Sequence, residues 1–245
     1  MSYKWSRLAL AIFVMLMASC SPAASSTSNP TPTPVTPLHV YLSPETRWLG
    51  EFLNKCSQIP PYSTVLVIDR EVWASIDPDI RFYLGDTGSP APVSYLISQE
   101  PLSVAVSAGS PVTTLTSALI ADIYTGKLQN WGDLSESFHA LGPVSALDYP
   151  DPASLHLALM YFIGSPSGNT YEVPSIQAMQ EQLSSDPAAV GYLLSRELSS
   201  SLRSVVLETP HPFTLPLRAE SSAPLSTEME SFLVCIQDEV RQSKP

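Results

Sequence analysis

The chain has 245 residues, 44% of them hydrophobic, so it is long enough and apolar enough to bury a core. Its 12 Lys and Arg residues face 23 Asp and Glu residues, which gives a formal net charge of −11. Outside the extreme N-terminus there is no basic run, and a nucleic-acid partner requires clustered Lys and Arg to neutralise phosphates. The composition therefore argues against nucleic acid as a partner.

Residues 1–19 predict a bacterial export signal. A basic start with Lys4 and Arg7 precedes an apolar run at 8–19 that is short for a membrane span. The run leads into LMASC, which resembles the lipobox, whose cysteine becomes the acylated first residue of the mature chain. We expect Cys20 to anchor the protein to the cell membrane in an extracytoplasmic location. A plain cleaved signal with an unrelated cysteine nearby is the alternative.

Residues 20–37 predict an extended tether. This segment consists almost entirely of Ser, Thr, Pro and Ala and carries no charge. Without periodic apolar positions it cannot bury a face against a core. The folded part of the chain is expected to begin near Leu38.

Beyond the tether, short β-rich runs alternate with helical patterns, which predicts an α/β architecture. Two helices carry start signals: Ser43 and Pro44 open the first, and Asp151 and Pro152 open a later one. The predicted strands lie at 38–43, 64–70 (buried), 79–85, 93–98, 101–108, 143–149, within 187–198, and at 204–208. The predicted helices lie at 43–56, 116–124, 151–164, 175–186 and 224–242.

Two cysteines remain in the folded part, Cys56 and Cys235, both on predicted helix faces. Outside the cytoplasm such a pair can be bridged. Two buried free thiols also explain the pattern, because the sequence does not give the Cα spacing that a bridge requires. Both alternatives stay open at this stage.

The segment SVAVSAGSPVTTLTSALIADIYTGKLQNWGDL, residues 103–134, resembles phosphate-type periplasmic substrate-binding proteins of ABC transporters. Its core is the signature IYTGKLQNW at 123–131. The segment DPAAVGYLL at 186–194 agrees with a later family motif, and residues 37–53 agree more loosely with the first strand, binding loop and helix. The resemblance implies the type II periplasmic binding protein fold, with two lobes and a cleft. Lobe 1 would be 38–104 plus 204–245, and lobe 2 would be 105–203.

The end of this signature is expected to be architectural rather than a ligand contact. Trp131 can bury its ring and donate its indole N–H to a carbonyl, which pins the turn after the helix. Asn130 can bond to backbone groups of the same turn, and Lys127 is expected to face solvent near the helix C-terminus.

The family resemblance also implies an oxyanion held by hydroxyls and by helix N-termini, whose free N–H groups attract anions. Such residues stand at the junctions from strand to helix, where plain helix caps and Asp/Gly turns are the alternative interpretation. The ligand contacts predicted at these junctions are Ser43, Glu45, Thr46, Asp86, Thr87 and Ser154.

The third junction departs from the family. The motif Arg-x-x-x-Ser-Gly-Thr would fall on DYPDPASLHLAL, where only Ser154 matches and no Arg is present. Without the guanidinium fork, tight phosphate binding is not expected. Asp148, Tyr149 and Asp151 at this place favour a neutral or cationic ligand, or none.

Enzyme chemistry and metal binding are not expected. The four histidines show no metal-ligand spacing, and GSPSG places Pro166 where a nucleophile elbow requires Ser. The paired carboxylates Glu228 and Glu230 fit the polar face of an amphipathic helix. No nucleophile–base pair is visible, and no cofactor motif was found.

The sequence thus predicts a lipid-anchored solute-binding protein that passes a small solute, with an oxyanion as one option, to ABC permease subunits. Closure of two lobes would trap the solute. The alternative keeps the fold without transport: a degenerate binding-protein domain that acts as a surface sensor, adhesion or assembly module.

Overall fold

The structure is a computed structural model that describes residues 37–58, 65–68, 77–85, 93–150, 153–163, 170–209 and 213–243. The predicted export signal, the lipidation site Cys20 and most of the tether lie outside the described residues. The predicted contacts Asp86 and Thr87, and the predicted helix cap Asp151, lie outside them as well.

Strands and helices alternate along the described chain, as predicted. The strands are β1 (Leu38–Leu42), β2 (Val65–Ile68), β3 (Ile80–Leu84), β4 (Val93–Ser107), β5 (Thr114–Thr116), β6 (Ser145–Asp148), β7 (Thr170–Glu172), β8 (Ala189–Leu194), β9 (Leu202–Ser204), β10 (Val206–Glu208) and β11 (Thr214–Ser221). The α-helices are α1 (Gly50–Cys56), α2 (Ser117–Tyr124), α3 (Ser154–Ile163), α4 (Ile176–Ser185) and α5 (Thr227–Gln242). Short 3₁₀ helices cover Pro44–Leu49, Trp131–Asp133, Glu136–Leu141 and Ser195–Glu197.

One large sheet organises the molecule, with the strand order β2-β1-β3-β11-β4-β8-β6-β7 and β9 paired to β4. The β1 strand is parallel to β2 and β3, and β6 is parallel to β7 and β8. Between these parallel groups, β11 and β4 run antiparallel to their neighbours. We call β2, β1, β3 and β11 the first half of the sheet, and β8, β6, β7 and β9 the second half.

The long strand β4 connects the two halves. Residues from Val93 to Pro101 pair with β11, and residues from Leu102 onward pair with β8 and β9. The sequence prediction of two strands divided at 99–101 was wrong, because Pro101 was taken as a break. Pro101 has Thr214 as its register partner in β11 and stays within the strand.

Two further predictions about strands needed correction. The predicted buried strand at 64–70 is the edge strand β2, where Leu66 and Val67 are 45% and 53% exposed. The central strand β11 was not predicted at all. Its Pro216, followed by alternating Arg218 and Glu220, hides the β pattern, and a register shift between Leu217 and Arg218 disturbs it further.

The turn after α2 is held as the sequence predicted. Thr116 caps the helix by accepting a hydrogen bond from the Leu119 amide, and Gly126, with φ of 72°, ends it. The Trp131 ring is fully buried, and its indole N–H donates to the Ala188 carbonyl at 2.9 Å. Asn130 was predicted wrongly, since its side chain is exposed and caps nothing.

A disulfide bond joins Cys56 at the end of α1 to Cys235 in α5. The two Cα atoms are 5.9 Å apart, and the cysteines are separated by 179 residues in the sequence. The α5 helix buries Phe232, Leu233, Ile236 and Val240 along one face, with Ser226 as its cap. The disulfide thus ties the helix that follows β1 to the last helix of the chain.

None of the helices in the described ranges combines the length and the apolar character that crossing a membrane demands.

Candidate functional site

The first predicted contact segment lies at the end of β1. Ser43 is 4% exposed and Thr46 is fully buried. The Thr46 hydroxyl is within hydrogen-bond distance of the Ser43 carbonyl (3.0 Å), the Phe82 carbonyl (3.2 Å) and the Ser43 hydroxyl (3.2 Å). These hydroxyls therefore bond to the chain itself, and Ser43 does not use its side chain as a helix cap. Their role in ligand binding stays a prediction.

The third junction contributes another buried hydroxyl, that of Tyr149. Tyr149 follows β6 and is 5% exposed, and its hydroxyl has no hydrogen-bond partner within the described chain. Burial raises the pKa of Tyr149 far above its ordinary value, and the negative charges of Glu45, Glu197 and Asp148 raise it further.

Asp148 is the centre of a buried polar cluster. It is 4% exposed and accepts hydrogen bonds from the Tyr192 hydroxyl and from the Tyr149 amide, the latter at 2.8 Å. Both of its carboxylate oxygens lie 3.1 Å from His156 Nδ1. Asp148 was predicted to favour a neutral or cationic solute, or none. In the structure its carboxylate accepts hydrogen bonds from within the chain, so its presence is explained without a solute.

Three tyrosine rings close the space around Asp148. The ring of Tyr192 makes edge contacts with Tyr149 and Tyr124, at centroid distances of 5.4 and 6.0 Å. The Tyr124 hydroxyl donates to the Leu147 carbonyl at 3.0 Å. Burial is the main cause that raises the pKa of Tyr124 and of Tyr192, so both phenols stay neutral. These packed rings stand beside the place where the family motif would put its arginine.

An ion pair between Arg196 and Glu100, which the sequence did not predict, joins the segment after β8 to β4. The Arg196 guanidinium lies 3.0 Å from the Glu100 carboxylate through two of its nitrogens, and it stacks 3.6 Å above the Trp48 ring. Glu100 is 1% exposed and also accepts from the Ser98 hydroxyl.

This group borders an open cavity of about 750 Å³, which we call the polar cavity. Trp48, Phe52 and Glu51 line it from the side of the first half of the sheet, and Arg196 and Glu197 line it from the second. Burial raises the pKa of Glu197, and Arg196 partly offsets the rise. Since Glu100 neutralises Arg196, the polar cavity holds no unpaired buried cation among its described lining residues.

A more enclosed cavity of about 400 Å³, which we call the apolar cavity, lies between α3 and the strands β3 and β11. The predicted contact Ser154, at the start of α3, lines it together with Gly85. Gly85 has φ of 80°, where glycine is favoured, and it directly precedes Asp86 and Thr87. The structure therefore brings Ser154 and the end of β3 to one cavity.

Within the described ranges no group of three His, Cys, Asp or Glu side chains could hold a metal ion.

The sequence matches no known family model and no curated protein. Solved structures resemble it in fold. The ABC-type phosphate transport receptor from Vibrio cholerae superposes with a TM-score of 0.63 at 16% identity, over 84% of this chain and 95% of that chain. The reduced OxyR regulatory domain from Pseudomonas aeruginosa gives 0.63 at 14% identity, over 86% and 99%. The CcmR regulatory domain from Synechocystis, in complex with 2-PG, gives 0.59 at 11% identity, over 84% and 98%.

At these identities the likeness shows the fold alone. The chain has the mixed α/β fold with a curled sheet that is typical of type II periplasmic binding proteins, and the fold prediction is confirmed. The same fold serves a phosphate transport receptor and regulatory domains. Function must therefore be argued from the site.

Proposed function

We propose that this chain is an extracytoplasmic solute-binding protein, anchored to the cell membrane through Cys20, that passes a small solute to ABC permease subunits. One observation carries the binding role: the apolar cavity, of about 400 Å³, lies between α3 and the strands β3 and β11 and includes Ser154. Cavities of a few hundred Å³ with a few polar groups are the usual form of small-molecule sites. The anchor and the transporter rest on the N-terminal sequence and on the family resemblance.

The solute is not a tightly held free oxyanion. The hydroxyls of Ser43 and Thr46 bond within the chain, and Arg196 is neutralised by Glu100. The carboxylates of Glu45 and Glu197 lie near the first junction, as their effect on Tyr149 requires. An oxyanion placed there would meet the negative charges of Glu45 and Glu197. Arg47 lies in the same segment, but its side chain is exposed, and solvent weakens the attraction of an exposed guanidinium for an anion.

Solute binding is tested by thermal unfolding of the full chain carrying Cys20→Ser, purified without detergent under non-reducing conditions. The panel contains phosphate, sulfate, molybdate and small uncharged organic solutes. A solute at a hundred times its Kd adds about 2.7 kcal/mol to the free energy of unfolding. We expect at least one organic solute to raise the melting temperature and the three oxyanions to leave it unchanged. If no solute in the panel raises it, the binding role is wrong.

The anchor is tested separately by detergent phase partitioning of the exported protein. The wild-type chain is expected in the detergent phase and Cys20→Ser in the aqueous phase, because acyl chains supply the membrane affinity. Equal partitioning of both would contradict lipidation.

A degenerate domain acting as a surface sensor is the second candidate function. The internally satisfied hydroxyls of Ser43 and Thr46 favour it, as does the shared fold with regulatory domains. The genomic neighbourhood distinguishes the two candidates. Adjacent permease and ATPase genes support transport, and their absence together with binding in the unfolding assay supports a sensor.

A further inference from the structure

The described residues that line the apolar cavity are all uncharged. Its described lining consists of aliphatic and aromatic side chains, backbone, and three hydroxyls, with no charged group: Leu84, Gly85, Ser154, Leu157, Ala158, Tyr161, Phe162, Phe213, Thr214, Leu215 and Pro216. The segments that flank these residues in the sequence, 86–92, 151–152, 164–169 and 210–212, contain neither Lys nor Arg. The region therefore supplies no strong cation for an anionic solute.

The rim of the apolar cavity exposes large apolar side chains. Leu157 and Tyr161, one turn apart on α3, are 42% and 95% exposed. Next to them, the rings of Phe162 and Phe213 meet across the cavity wall with centroids 4.5 Å apart. Exposed apolar side chains around a concave opening indicate a site that an apolar group covers.

Two hydroxyls can orient a solute within this lining. Neither Ser154 at the start of α3 nor Thr214 at the start of β11 makes a side-chain hydrogen bond within the described chain. They stand on opposite walls of the apolar cavity, Ser154 on α3 and Thr214 on β11. One polar group on an otherwise apolar solute therefore finds a partner, while a full charge would lose its hydration without compensation.

We propose that the apolar cavity binds an uncharged, largely apolar solute, aromatic or alicyclic, that carries a hydroxyl or carbonyl group. This inference rests on the proposed solute-binding function and names the class of solute for it. It differs from what the family resemblance implies, because the phosphate-type proteins hold an oxyanion at their cleft.

Three probes of the same size and different charge test the class of solute: phenethyl alcohol, phenylacetate and phenethylammonium. Binding to the full chain carrying Cys20→Ser is measured by isothermal titration calorimetry, with inorganic phosphate as a fourth probe. We expect phenethyl alcohol to bind, and the two ions to bind at least about tenfold more weakly, because burying an uncompensated charge costs more than 1.4 kcal/mol. Phosphate is expected not to bind.

A matched pair of variants locates the site. Leu157→Asp puts a charge on the rim of the apolar cavity, and Val234→Asp puts one at an equally exposed position of α5, since the two side chains are 42% and 44% exposed. Leu157→Asp should weaken phenethyl alcohol about tenfold and Val234→Asp by less than about twofold. Tyr161→Asp, at a side chain 95% exposed, repeats the test without risk to folding.

The possible outcomes separate the inference from the function it rests on. Three results would contradict the proposed class of solute while leaving solute binding itself intact. They are tighter binding of either ion than of phenethyl alcohol, binding of phosphate alone, and equal weakening by the α3 and α5 variants. If none of the four probes binds, the proposed class of solute is also wrong. The wider panel of solutes in the thermal unfolding assay then decides whether the protein binds a solute at all.

Discussion

At the residue scale, Trp131 and Asn130 show how neighbours in one motif differ in role. Trp131 is fully buried and bonds to the Ala188 carbonyl, which also accepts from the Ser145 amide at 3.1 Å. The indole thus fixes the turn after α2 to the start of both β6 and β8. Asn130 next to it is exposed.

Trp131→Phe should lower the free energy of unfolding by about 2 kcal/mol, because it removes a buried hydrogen bond and leaves a cavity. Asn130→Ala should change it by less than about 0.5 kcal/mol, as exposed substitutions do. Urea unfolding of the two variants beside the wild type provides the comparison. A loss for Asn130→Ala as large as that for Trp131→Phe would contradict this division of roles.

Glu197 supplies a pH dependence of stability. Burial raises its pKa above the ordinary value in the folded protein. The folded state therefore holds the proton longer than the unfolded state, and stability falls as pH rises through the folded pKa. Glu197→Gln should be more stable than wild type at pH 7, and equal to it below the ordinary pKa. Because the side chain is only half-buried, the gain should stay below about 1 kcal/mol.

Glu228 provides a control for which the expected pH dependence of stability has the opposite sign. Hydrogen bonds from its own amide and from Ser226 at the start of α5 lower its pKa. Glu228→Gln should therefore be less stable than wild type at neutral pH and equal to it in acid, below the folded pKa. Urea unfolding at several pH values measures both variants. If the stabilities of Glu197→Gln and Glu228→Gln relative to wild type changed in the same direction with pH, the pH dependence would have another origin.

At the element scale, the sequence predicted helices better than the central sheet. Periodic apolar positions and caps such as Thr116, Ser175 and Ser226 are local signals, and the helices they open are present. The strands β4 and β11 depend on pairing with distant parts of the chain, which tolerates Pro101 and Pro216 within the sheet. The local sequence pattern predicted two strands in place of β4 and none at β11, because pairing with distant strands outweighs local strand propensity.

The candidate site could be predicted only in part for the same reason. The strand-to-helix junctions pointed to Ser43 and Ser154, but the sequence did not show that the Ser43 hydroxyl would contact Thr46 or that Tyr149 would be buried. The partnership of Glu100 with Arg196 spans 96 positions and has no local signature.

The disulfide between α1 and α5 is a constraint at the same scale. It closes a loop with a sequence separation of 179 residues, so it restricts the unfolded chain strongly. Cys56→Ala/Cys235→Ala should lower the free energy of unfolding by about 2–5 kcal/mol. Guanidinium unfolding with and without reductant tests this: reductant should destabilise the wild type by a similar amount and leave the double variant unchanged. Insensitivity of the wild type would mean that the disulfide does not form.

At the scale of the whole molecule, β4 joins two halves of one sheet. The polar cavity lies between the segments that follow β1 and β8, and the apolar cavity lies between α3 and the strands β3 and β11. The fold alone does not decide between capture of a solute for transport and a regulatory role. What the structure adds is the chemistry of the candidate site: packed tyrosines and a paired Arg196 and Glu100 on one side, and an apolar cavity with two hydroxyls on the other.

The central claim is that a solute binds in the apolar cavity, between α3 and the strands β3 and β11. Amide hydrogen exchange, measured by mass spectrometry with and without whichever solute raises the melting temperature, tests this claim most directly. Slower exchange is predicted on both walls of the apolar cavity, in α3 and in the start of β11, with no change in the edge strand β2. Protection confined to one wall, or located away from both, would contradict the account.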